Sequence, residues 1–418
     1  MKNILSVVFL LCSLFSYSQD SLRYYYNQGI AALKNGDADL YLQSFERANE
    51  LRPYHPTLIH HLAKAQALNN KWNELNKTLR IKLMMDANLE ILEDSIFQEF
   101  NTMEFYDGLI QLQQSLLQSS KNSAVHMELD LSSFHPEAIT YNPVSNVFYL
   151  GGVYERAIIC VNAQGEIVGR VDYESMPEMY AVMGLEYDVK TGKLWACTAA
   201  LPEMKGYSEE LEGNSSVILL DAELQIKNTY HEKGSHLFGD LILDDNGSIF
   251  ISDGRANTVY NYSIDEGLTT FKNLSNVGLS LQGLTFHSNG RYLYVADYIK
   301  GLYRIDIQSK EVSKIELAGN IISKGFDGIY FYENSLIAIQ NGVSPKKVWR
   351  LFLNKDGSEV IRIEVIDQAL DILDEPTQGV LVGNEFIYIA NSPWSKYEDG
   401  VLQTEQLTKT VLLKYSLK

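Results

Sequence analysis

Hydrophobic and polar positions follow three different patterns along the chain. Residues 4–15 form a short apolar run, and residues 20–120 carry apolar side chains at helical spacing. From residue 123 onward, short segments of alternating polarity are separated by turns rich in Gly, Asn and Asp. Spacing by three and four residues is typical of amphipathic helices, whereas alternation is typical of half-buried strands. The pattern therefore predicts a helical region followed by an all-β region.

The N-terminal pattern is typical of a secretory signal peptide. A positively charged start, Met1-Lys2-Asn3, precedes the apolar run from Ile4 to Phe15, and small residues follow at Ser16-Tyr17-Ser18. The apolar run is too short for a membrane-spanning helix. We predict cleavage after Ser18 and export of the mature chain, so that it is periplasmic or secreted. No later stretch is long and apolar enough to predict a membrane span.

Residues 20–120 are predicted to form helical hairpins. The turn Asn35-Gly36-Asp37 separates two helices, Gly29 allows them to approach closely, and Pro53 ends the second one. A shift of 34 residues places a second turn at Asn69-Asn70 and apolar residues at equivalent positions, which are Ile59, Ala63, Leu75 and Leu79. This period and pattern resemble the tetratricopeptide repeat.

A less regular amphipathic pattern follows these two repeats over residues 94–118. It predicts a helical cap with apolar positions at Ile96, Phe97, Phe100, Phe105, Leu109, Leu112 and Leu116. The resemblance to tetratricopeptide repeats implies one of two roles. The repeats either form a groove for a protein or peptide partner, or act as a scaffold that packs against the second domain.

Six related segments recur in the all-β region, and each precedes a turn and an apolar strand. They are Pro136–Ile139, Met183–Glu186, Gly239–Ile242, Gln282–Thr285, Asp327–Tyr330 and Gln378–Leu381. We call the aligned residue near the start of each segment its ring position, which gives 137, 183, 239, 282, 327 and 378. The steps between them are 46, 56, 43, 45 and 51 residues, which is the period of propeller blades.

Six copies predict a six-bladed β-propeller whose ring positions surround a central channel. The last copy is followed by two or three strands, and residues 125–131 alternate in polarity before the first copy. We therefore predict that residues 125–131 form the outer strand of the last blade and close the ring. The predicted domains are a signal peptide over 1–18, a tetratricopeptide-like helical domain over 19–120 and a propeller over 123–418.

Charge and motifs exclude several classes of function. The net charge of −18 argues against nucleic acid and anionic membrane surfaces as partners. The sequence has no Gly-x-Ser-x-Gly, no phosphate-binding glycine loop and no His-Glu-x-x-His. Cys160 and Cys197 are interpreted as buried thiols, because two cysteines do not make a disulfide framework, although the sequence leaves their pairing open.

The propeller segments resemble the SMP-30/gluconolactonase family over most of residues 130–400. The motifs that carry the resemblance are His135-Pro136-Glu137-Ala138, Asp244-Asp245-Asn246-Gly247, Gly283-Leu284-Thr285-Phe286 and Phe326-Asp327-Gly328-Ile329. The resemblance implies a propeller that binds a divalent cation, most often Ca²⁺, in its channel. It also implies hydrolysis of a lactone or ester, because many family members open sugar lactones.

The family's functional positions map onto this chain only in part. The resemblance implies Glu137, Gln282 and Asp327 as metal ligands, with Asp327 also the catalytic base. Gln282 stands where the family has asparagine, and Gly239 stands where the family has an asparagine that contacts substrate. Weaker candidates for substrate contacts are Asp240, Gln378 and His236, and His135 is a further histidine near a strand start.

These departures leave two hypotheses open. The retained carboxylates Glu137 and Asp327 favour a metal-dependent hydrolase, because carboxylate and amide oxygens that converge in a channel suit a hard cation. Gly239 favours a non-catalytic binding protein that recognises a protein, peptide or glycan with its propeller face and helical repeats. The expected partner is accordingly a small lactone or ester, or a protein or glycan ligand.

Overall fold

The computed structural model describes residues 21–131 and 133–418. The predicted signal peptide lies outside the described residues. The chain divides into two compact units, with the boundary between Gln118 and Ser119. The first described unit is helical and the second is built from β-sheets.

The helical unit contains five α-helices among its described residues. Helix α1 covers residues 21–34, and the others are α2 (Ala38–Leu51), α3 (Pro56–Leu68), α4 (Trp72–Met85) and α5 (Glu104–Leu117). Between α4 and α5 lie three short 3-10 turns, at Glu90–Glu93, Ser95–Phe97 and Phe100–Thr102. The helical content is confirmed, and the cap predicted over 94–118 corresponds to the last two of these turns together with α5.

Local sequence explains where the first helices begin and end. The Asp37 side chain accepts a hydrogen bond from the Leu40 backbone N–H at 3.0 Å and so caps α2. Gly36 between α1 and α2 has a φ of 73°, which favours glycine. A Cβ at Gly29 would lie 2.5 Å from the ring of Phe45, so this glycine is needed where α1 meets α2. The predicted turn residues are therefore placed as expected.

The second unit begins with two strands that join sheets formed later in the chain. These are β1 (Ser120–Lys121) and β2 (Ala124–Leu129). Blade 1 then consists of β3 (Pro136–Asn142), β4 (Val147–Gly152), β5 (Ala157–Asn162) and β6 (Ile167–Asp172). Blade 2 consists of β7 (Ala181–Asp188), β8 (Lys193–Ala199), β9 (Ser215–Asp221) and β10 (Ile226–Glu232). Both blades are antiparallel meanders.

The next three blades repeat this arrangement. Blade 3 consists of β11 (Phe238–Leu243), β12 (Ile249–Asp253), β13 (Thr258–Ser263) and β14 (Gly267–Asn273). Blade 4 consists of β15 (Leu281–Phe286), β16 (Tyr292–Asp297), β17 (Gly301–Asp306) and β18 (Val312–Lys314). Blade 5 consists of β19 (Phe326–Tyr332), β20 (Ser335–Gln340), β21 (Lys347–Leu353) and β22 (Val360–Gln368), to which β1 adds a fifth strand.

Blade 6 combines strands from both ends of the propeller unit. It contains β23 (Gly379–Val382), β24 (Glu385–Ile389) and, after a separate hairpin of β25 (Tyr397–Glu398) and β26 (Val401–Leu402), β27 (Thr410–Ser416). Strand β2 pairs antiparallel with β27 as the outermost strand of this blade. The prediction that residues 125–131 close the ring is confirmed, and the strand itself covers Ala124–Leu129. Closure leaves no open edge between the first and last blades.

The first strands of the six blades form the inner ring of the propeller. Each of β3, β7, β11, β15 and β19 lies beside the first strand of the following blade, and β23 lies beside β3. The six-bladed propeller predicted from the repeats is thus confirmed. The apolar cores lie between neighbouring blades, as where Ile139 and Ile159 of blade 1 pack with Leu412 of blade 6.

Bulges occur where the inner strands pass the channel mouth. The register shifts between Pro136 and Ala138 in blade 1, and equivalent shifts occur in β7, β11, β15 and β19. The ring positions 137, 183, 239, 282 and 327 all lie inside these shifts. In a bulge the extra residue has no partner in the neighbouring strand, and its side chain is turned in a new direction. The ring residues of these five blades are such extra residues.

Candidate functional site

Glu137 is the ring residue of blade 1 and is only 5% exposed. The Trp394 indole N–H donates a hydrogen bond to Glu137 Oε2 at 2.8 Å, and the Ser392 hydroxyl lies 3.4 Å from the same oxygen. Burial raises the pKa of Glu137 well above its usual range, and the negative charge of Asp327 raises it further. Since Asp327 belongs to blade 5, two carboxyl groups from non-adjacent blades face the same channel.

Asp327 is the ring residue of blade 5 and is partly exposed. The Asn341 side-chain amide donates a hydrogen bond to Asp327 Oδ2 at 2.7 Å. Burial raises the pKa of Asp327, and Glu375 adds to the increase, whereas the Asn341 hydrogen bond opposes it. Glu375 is itself paired with Lys346. Asp327 is therefore held in one orientation by Asn341 and is more basic than an exposed aspartate.

Asn341 is a residue of the site that the sequence analysis missed. It is 6% exposed, and its Nδ2 also donates to the Pro376 carbonyl oxygen at 2.9 Å. Its Oδ1 is buried and has no hydrogen-bond partner in the described parts of the chain. An unpartnered buried amide oxygen beside Asp327 is an available ligand for a cation. Its place in the sequence could have indicated this role. Asn341 directly follows β20, and the last residue of β20, Gln340, pairs with Phe326, the residue before Asp327.

Gln282 and Gly239 lie next to each other at the ring. The Gln282 Nε2 lies 3.3 Å from Ser280 Oγ, and its Oε1 is 3.5 Å from where a Cβ would stand on Gly239. The longer glutamine side chain of blade 4 thus reaches into the space left by the missing side chain of blade 3. The Gln282 amide and Gly239 are therefore direct neighbours at the ring.

Asp240 joins blade 3 to blade 4. Its Oδ2 accepts a hydrogen bond from the Leu284 N–H at 3.0 Å, and its Oδ1 accepts one from the Leu241 N–H at 2.9 Å. Burial raises the pKa of Asp240 to about 7, and Asp327 contributes to the increase. Both carboxyl oxygens are engaged with backbone, so the structure places Asp240 as a tie between blades inside the channel.

Glu186 is a second residue that the sequence analysis did not single out. It follows the ring position of blade 2 by three residues on β7 and is partly exposed. Burial raises the pKa of Glu186 to about 8, and the negative charges of Asp240 and Asp188 add to the increase. Glu186 therefore interacts electrostatically with Asp240, and Asp240 in turn interacts with Asp327.

Gln378 spans the ring from blade 6 to blade 2. Its Nε2 donates a hydrogen bond to the Met183 carbonyl oxygen at 2.5 Å, and the side chain is 6% exposed. Blade 1 lies between these two blades in the ring order, so the Gln378 side chain crosses part of the channel. Its neighbour Thr377 donates to the Glu137 carbonyl oxygen at 3.1 Å. The structure therefore brings Gln378 close to the backbone that carries Glu137.

His236 lies on blade 3 and contacts a buried carboxylate. Its Nδ1 is 2.7 Å from Asp253 Oδ2, and Asp253 is fully buried. Asp253 also accepts backbone hydrogen bonds, which come from Leu237, Arg255 and Ala256. The hydrogen bond to Asp253 raises the pKa of His236. In blade 4 the equivalent Asp297 is satisfied by backbone N–H groups alone, so His236 here completes the coordination of a structural aspartate.

His135 belongs to an aromatic wall behind Glu137. It is fully buried, its Nδ1 lies 2.7 Å from the Tyr397 hydroxyl, and its ring centroid is 4.6 Å from that of Trp394. Burial lowers the pKa of His135 to about 3, so the imidazole is neutral. The His135 ring packs against the Trp394 indole, which donates to Glu137. His135 therefore helps to position Trp394 and does not itself contact Glu137 through a hydrogen bond.

Cys160 and Cys197 are both buried and unpaired. Across residues 21–131 and 133–418, no group of three or more His, Cys, Asp or Glu side chains is arranged to hold a metal ion. Any cation at the ring therefore needs amide oxygens beside Glu137 and Asp327, and Asn341 Oδ1 fits that need. No described helix has the length and apolar character required to cross a membrane.

Comparison with known proteins adds similarity of fold only. No protein-family model matches the sequence, and no curated protein matches it. A streptogramin B lyase structure is similar at 13% identity with a TM-score of 0.44, over 72% of this chain and 97% of that one. The virginiamycin B lyase of Staphylococcus aureus gives 14% identity and a TM-score of 0.45, over 71% and 99%.

A luciferin-regenerating enzyme is similar at 12% identity with a TM-score of 0.46, over 69% of this chain and 93% of that one. All three identities are low and all three TM-scores are below 0.5. The assignment as a propeller accordingly rests on the strand pairing of the chain itself.

Proposed function

We propose that the propeller binds a divalent cation at its channel mouth and hydrolyses a lactone or ester there. One observation carries the proposal: the carboxyl groups of buried Glu137 and partly exposed Asp327, from blades 1 and 5, converge on the channel closely enough that the charge of Asp327 raises the pKa of Glu137. Two such groups repel each other when ionised, unless a proton or a cation lies between them. The orphaned Oδ1 of Asn341 beside Asp327 supplies a third oxygen, which favours the cation.

The residues that would hold Ca²⁺ are Glu137, Asp327 and Asn341, with Gln282 as a fourth. All four offer the oxygen ligands that calcium prefers. When bound, the cation would polarise the substrate carbonyl and stabilise the oxyanion that develops from it. Because Trp394 already donates to Glu137 Oε2, Glu137 is restricted in orientation and is assigned to anchoring.

Asp327 is assigned the role of general base. It is partly exposed, so water reaches it, and its carboxylate can accept a proton from that water. The hydrogen bond from Asn341 fixes one carboxyl oxygen. Asn341 is thereby a positioning residue for the base as well as a ligand.

A second candidate is a non-catalytic binding protein. Two features favour it. Gly239 has no side chain to contact a substrate, and the Trp394 indole already occupies one carboxyl oxygen of Glu137. In this case the propeller face, together with helices α1–α4 as two tetratricopeptide-like repeats, would recognise a protein, peptide or glycan. Under either function we propose that the chain is exported, on the strength of its N-terminal sequence.

Calorimetric titration of the metal-stripped mature chain with Ca²⁺ tests the proposal. We expect binding by the wild type and by Asp245→Ala, whose side chain is 98% exposed, and no binding by Asp327→Ala. A lactone and aryl-ester panel then follows, with hydrolysis expected to depend on Ca²⁺. An absence of Ca²⁺ binding in the wild type would eliminate the metal-dependent hydrolase and leave the binding protein.

A further inference from the structure

Tyr298 lies at the channel mouth in blade 4, at the position that Asn341 occupies in blade 5. Each of the two residues directly follows the second strand of its blade, since β16 ends at Asp297 and β20 ends at Gln340. In both blades that last residue pairs with the first residue of the inner strand. The location that brings Asn341 beside Asp327 therefore brings Tyr298 to the ring from the neighbouring blade.

Backbone hydrogen bonds hold Tyr298 between the ring segments of blades 4 and 5. The Tyr298 N–H donates to the Ser280 carbonyl oxygen at 2.8 Å, and the Gly325 N–H donates to the Tyr298 carbonyl oxygen at 2.7 Å. Ser280 and Gly325 each precede the ring residue of their blade by two positions. Tyr298 is thus tied to both of the segments that carry Gln282 and Asp327.

The phenol ring of Tyr298 lies against the backbone next to Asn341. A Cβ at Gly342 would lie 2.9 Å from the Tyr298 hydroxyl oxygen and 2.5 Å from the Cα of Gly325, so the absence of a side chain at Gly342 is what lets the phenol approach. Gly342 directly follows Asn341, whose side-chain amide donates to Asp327 at 2.7 Å. The Tyr298 hydroxyl and the Asp327 carboxyl therefore contact adjacent residues of one segment.

The Tyr298 hydroxyl is free to contact a ligand in the channel. Tyr298 is partly exposed, and among the described residues its hydroxyl has no hydrogen-bond partner. Burial raises the pKa of this phenol, and the negative charges of Asp327, Glu375 and Glu137 raise it further. The hydroxyl is thus a protonated hydrogen-bond donor. Its interaction with the charges of both Asp327 and Glu137 places it in the same channel mouth as these two carboxyl groups.

We propose that Tyr298 is a further catalytic residue, whose hydroxyl donates a hydrogen bond to the carbonyl oxygen of the substrate as that oxygen becomes an oxyanion. The inference rests on the proposed hydrolysis. Water adds to the carbonyl carbon, its proton passes to Asp327, and the π electron pair of the carbonyl moves to the oxygen that Tyr298 contacts. When the carbonyl re-forms, the bond to the leaving oxygen breaks and that oxygen takes the proton from Asp327. Tyr298 keeps its proton throughout. Removal of one such donor typically lowers kcat roughly 100- to 1,000-fold.

The test uses Tyr298→Phe, which keeps the ring and removes only the hydroxyl, and Tyr292→Phe as the matched control. Tyr292 is partly exposed and begins β16, at the end of the strand away from Tyr298. The substrate is phenyl acetate. Calorimetry with phenyl methylphosphonate, whose tetrahedral anionic centre resembles the oxyanion intermediate, reports binding without any need for turnover. Calorimetry with Ca²⁺ alone checks that the ring residues are undisturbed.

We expect Tyr298→Phe to lower kcat and to weaken binding of the phosphonate by at least ten-fold each, and to leave KM for phenyl acetate and the affinity for Ca²⁺ nearly unchanged. Tyr292→Phe should behave as the wild type. If the wild type hydrolyses phenyl acetate and Tyr298→Phe matches it in kcat and in phosphonate affinity, the Tyr298 assignment is overturned while the hydrolase stands.

The phosphonate decides the assignment even if the wild type hydrolyses no ester, a result that contradicts the hydrolase. Phosphonate binding by the wild type that Tyr298→Phe loses then supports the Tyr298 hydroxyl as the donor to an anionic oxygen in the channel. Equal binding by both proteins, or binding by neither, overturns it.

Discussion

Replacement of Glu186 by glutamine is expected to stabilise the metal-free propeller at neutral pH. In the folded protein, burial raises the pKa of Glu186 from 4.5 to about 8. An acid with a raised pKa binds its proton more tightly in the folded state than in the unfolded state. The wild type is accordingly most stable below pH 4.5 with respect to this group. The free energy of unfolding of the wild type falls as the pH rises from 4.5 to about 8, and above about pH 8 this group causes no further decrease.

The magnitude follows from that interval. Between pH 4.5 and pH 7 the cost grows over about 2.5 pH units at about 1.4 kcal/mol each, which gives about 3.5 kcal/mol. Glu186 is partly exposed, and solvent screening reduces the value to about 1–3 kcal/mol. The Glu186→Gln variant escapes this cost, because glutamine does not ionise, and it also removes a charge that faces Asp240.

Guanidinium unfolding in EDTA at pH 4.5, 7 and 8.5 measures the effect. Tryptophan fluorescence reports mainly on the propeller, since three of the four tryptophans, Trp195, Trp349 and Trp394, lie in that unit. The gain in Glu186→Gln should be small at pH 4.5 and should grow with pH. The exposed control Asp245→Asn should show no such trend. A gain for Glu186→Gln that is equal at all three pH values would refute the electrostatic argument.

Two further substitutions test other contacts of the site. Because the folded pKa of His236 is raised by Asp253, its contribution is fully present below about pH 6.5 and is lost as the pH rises through the folded pKa. His236→Gln should therefore cost about 1–3 kcal/mol at pH 5.5 and less at pH 9, measured by denaturant unfolding, and an equal cost at both would contradict the pairing. Asn341→Leu should weaken Ca²⁺ binding at least ten-fold in calorimetry, whereas Asn341→Asp, which keeps an oxygen, should retain it. Equal affinity in both variants would remove Asn341 from the ligand set.

The blade architecture was predictable because each blade repeats the same local signals. A ring position, a turn such as Asp245-Asn246-Gly247 and an apolar strand recur in order, and closure by the strand before Glu137 follows from its alternation. The fifth strand of blade 5 was not predictable. Ser120-Lys121 has only two residues and no alternation, and it is placed by pairing with Gln368 and Asp367.

The site was predictable only as far as the inner strands determine it. Glu137 and Asp327 occupy repeated ring positions, so their approach to one channel follows from the repeat. Asn341 comes from the end of the second strand of its blade, and Trp394 comes from an irregular segment within blade 6. Neither contact leaves a periodic signal, because both depend on how side chains turn over the channel mouth after the sheet has formed.

A crystal structure of the mature chain with Ca²⁺ tests the central claim most directly. The account predicts a calcium peak in the channel mouth, with oxygens of Glu137, Asp327 and Asn341 Oδ1 at about 2.3–2.6 Å from it and Trp394 still on Glu137. Crystals grown in saturating Ca²⁺ that show water alone between Glu137 and Asp327 would contradict it.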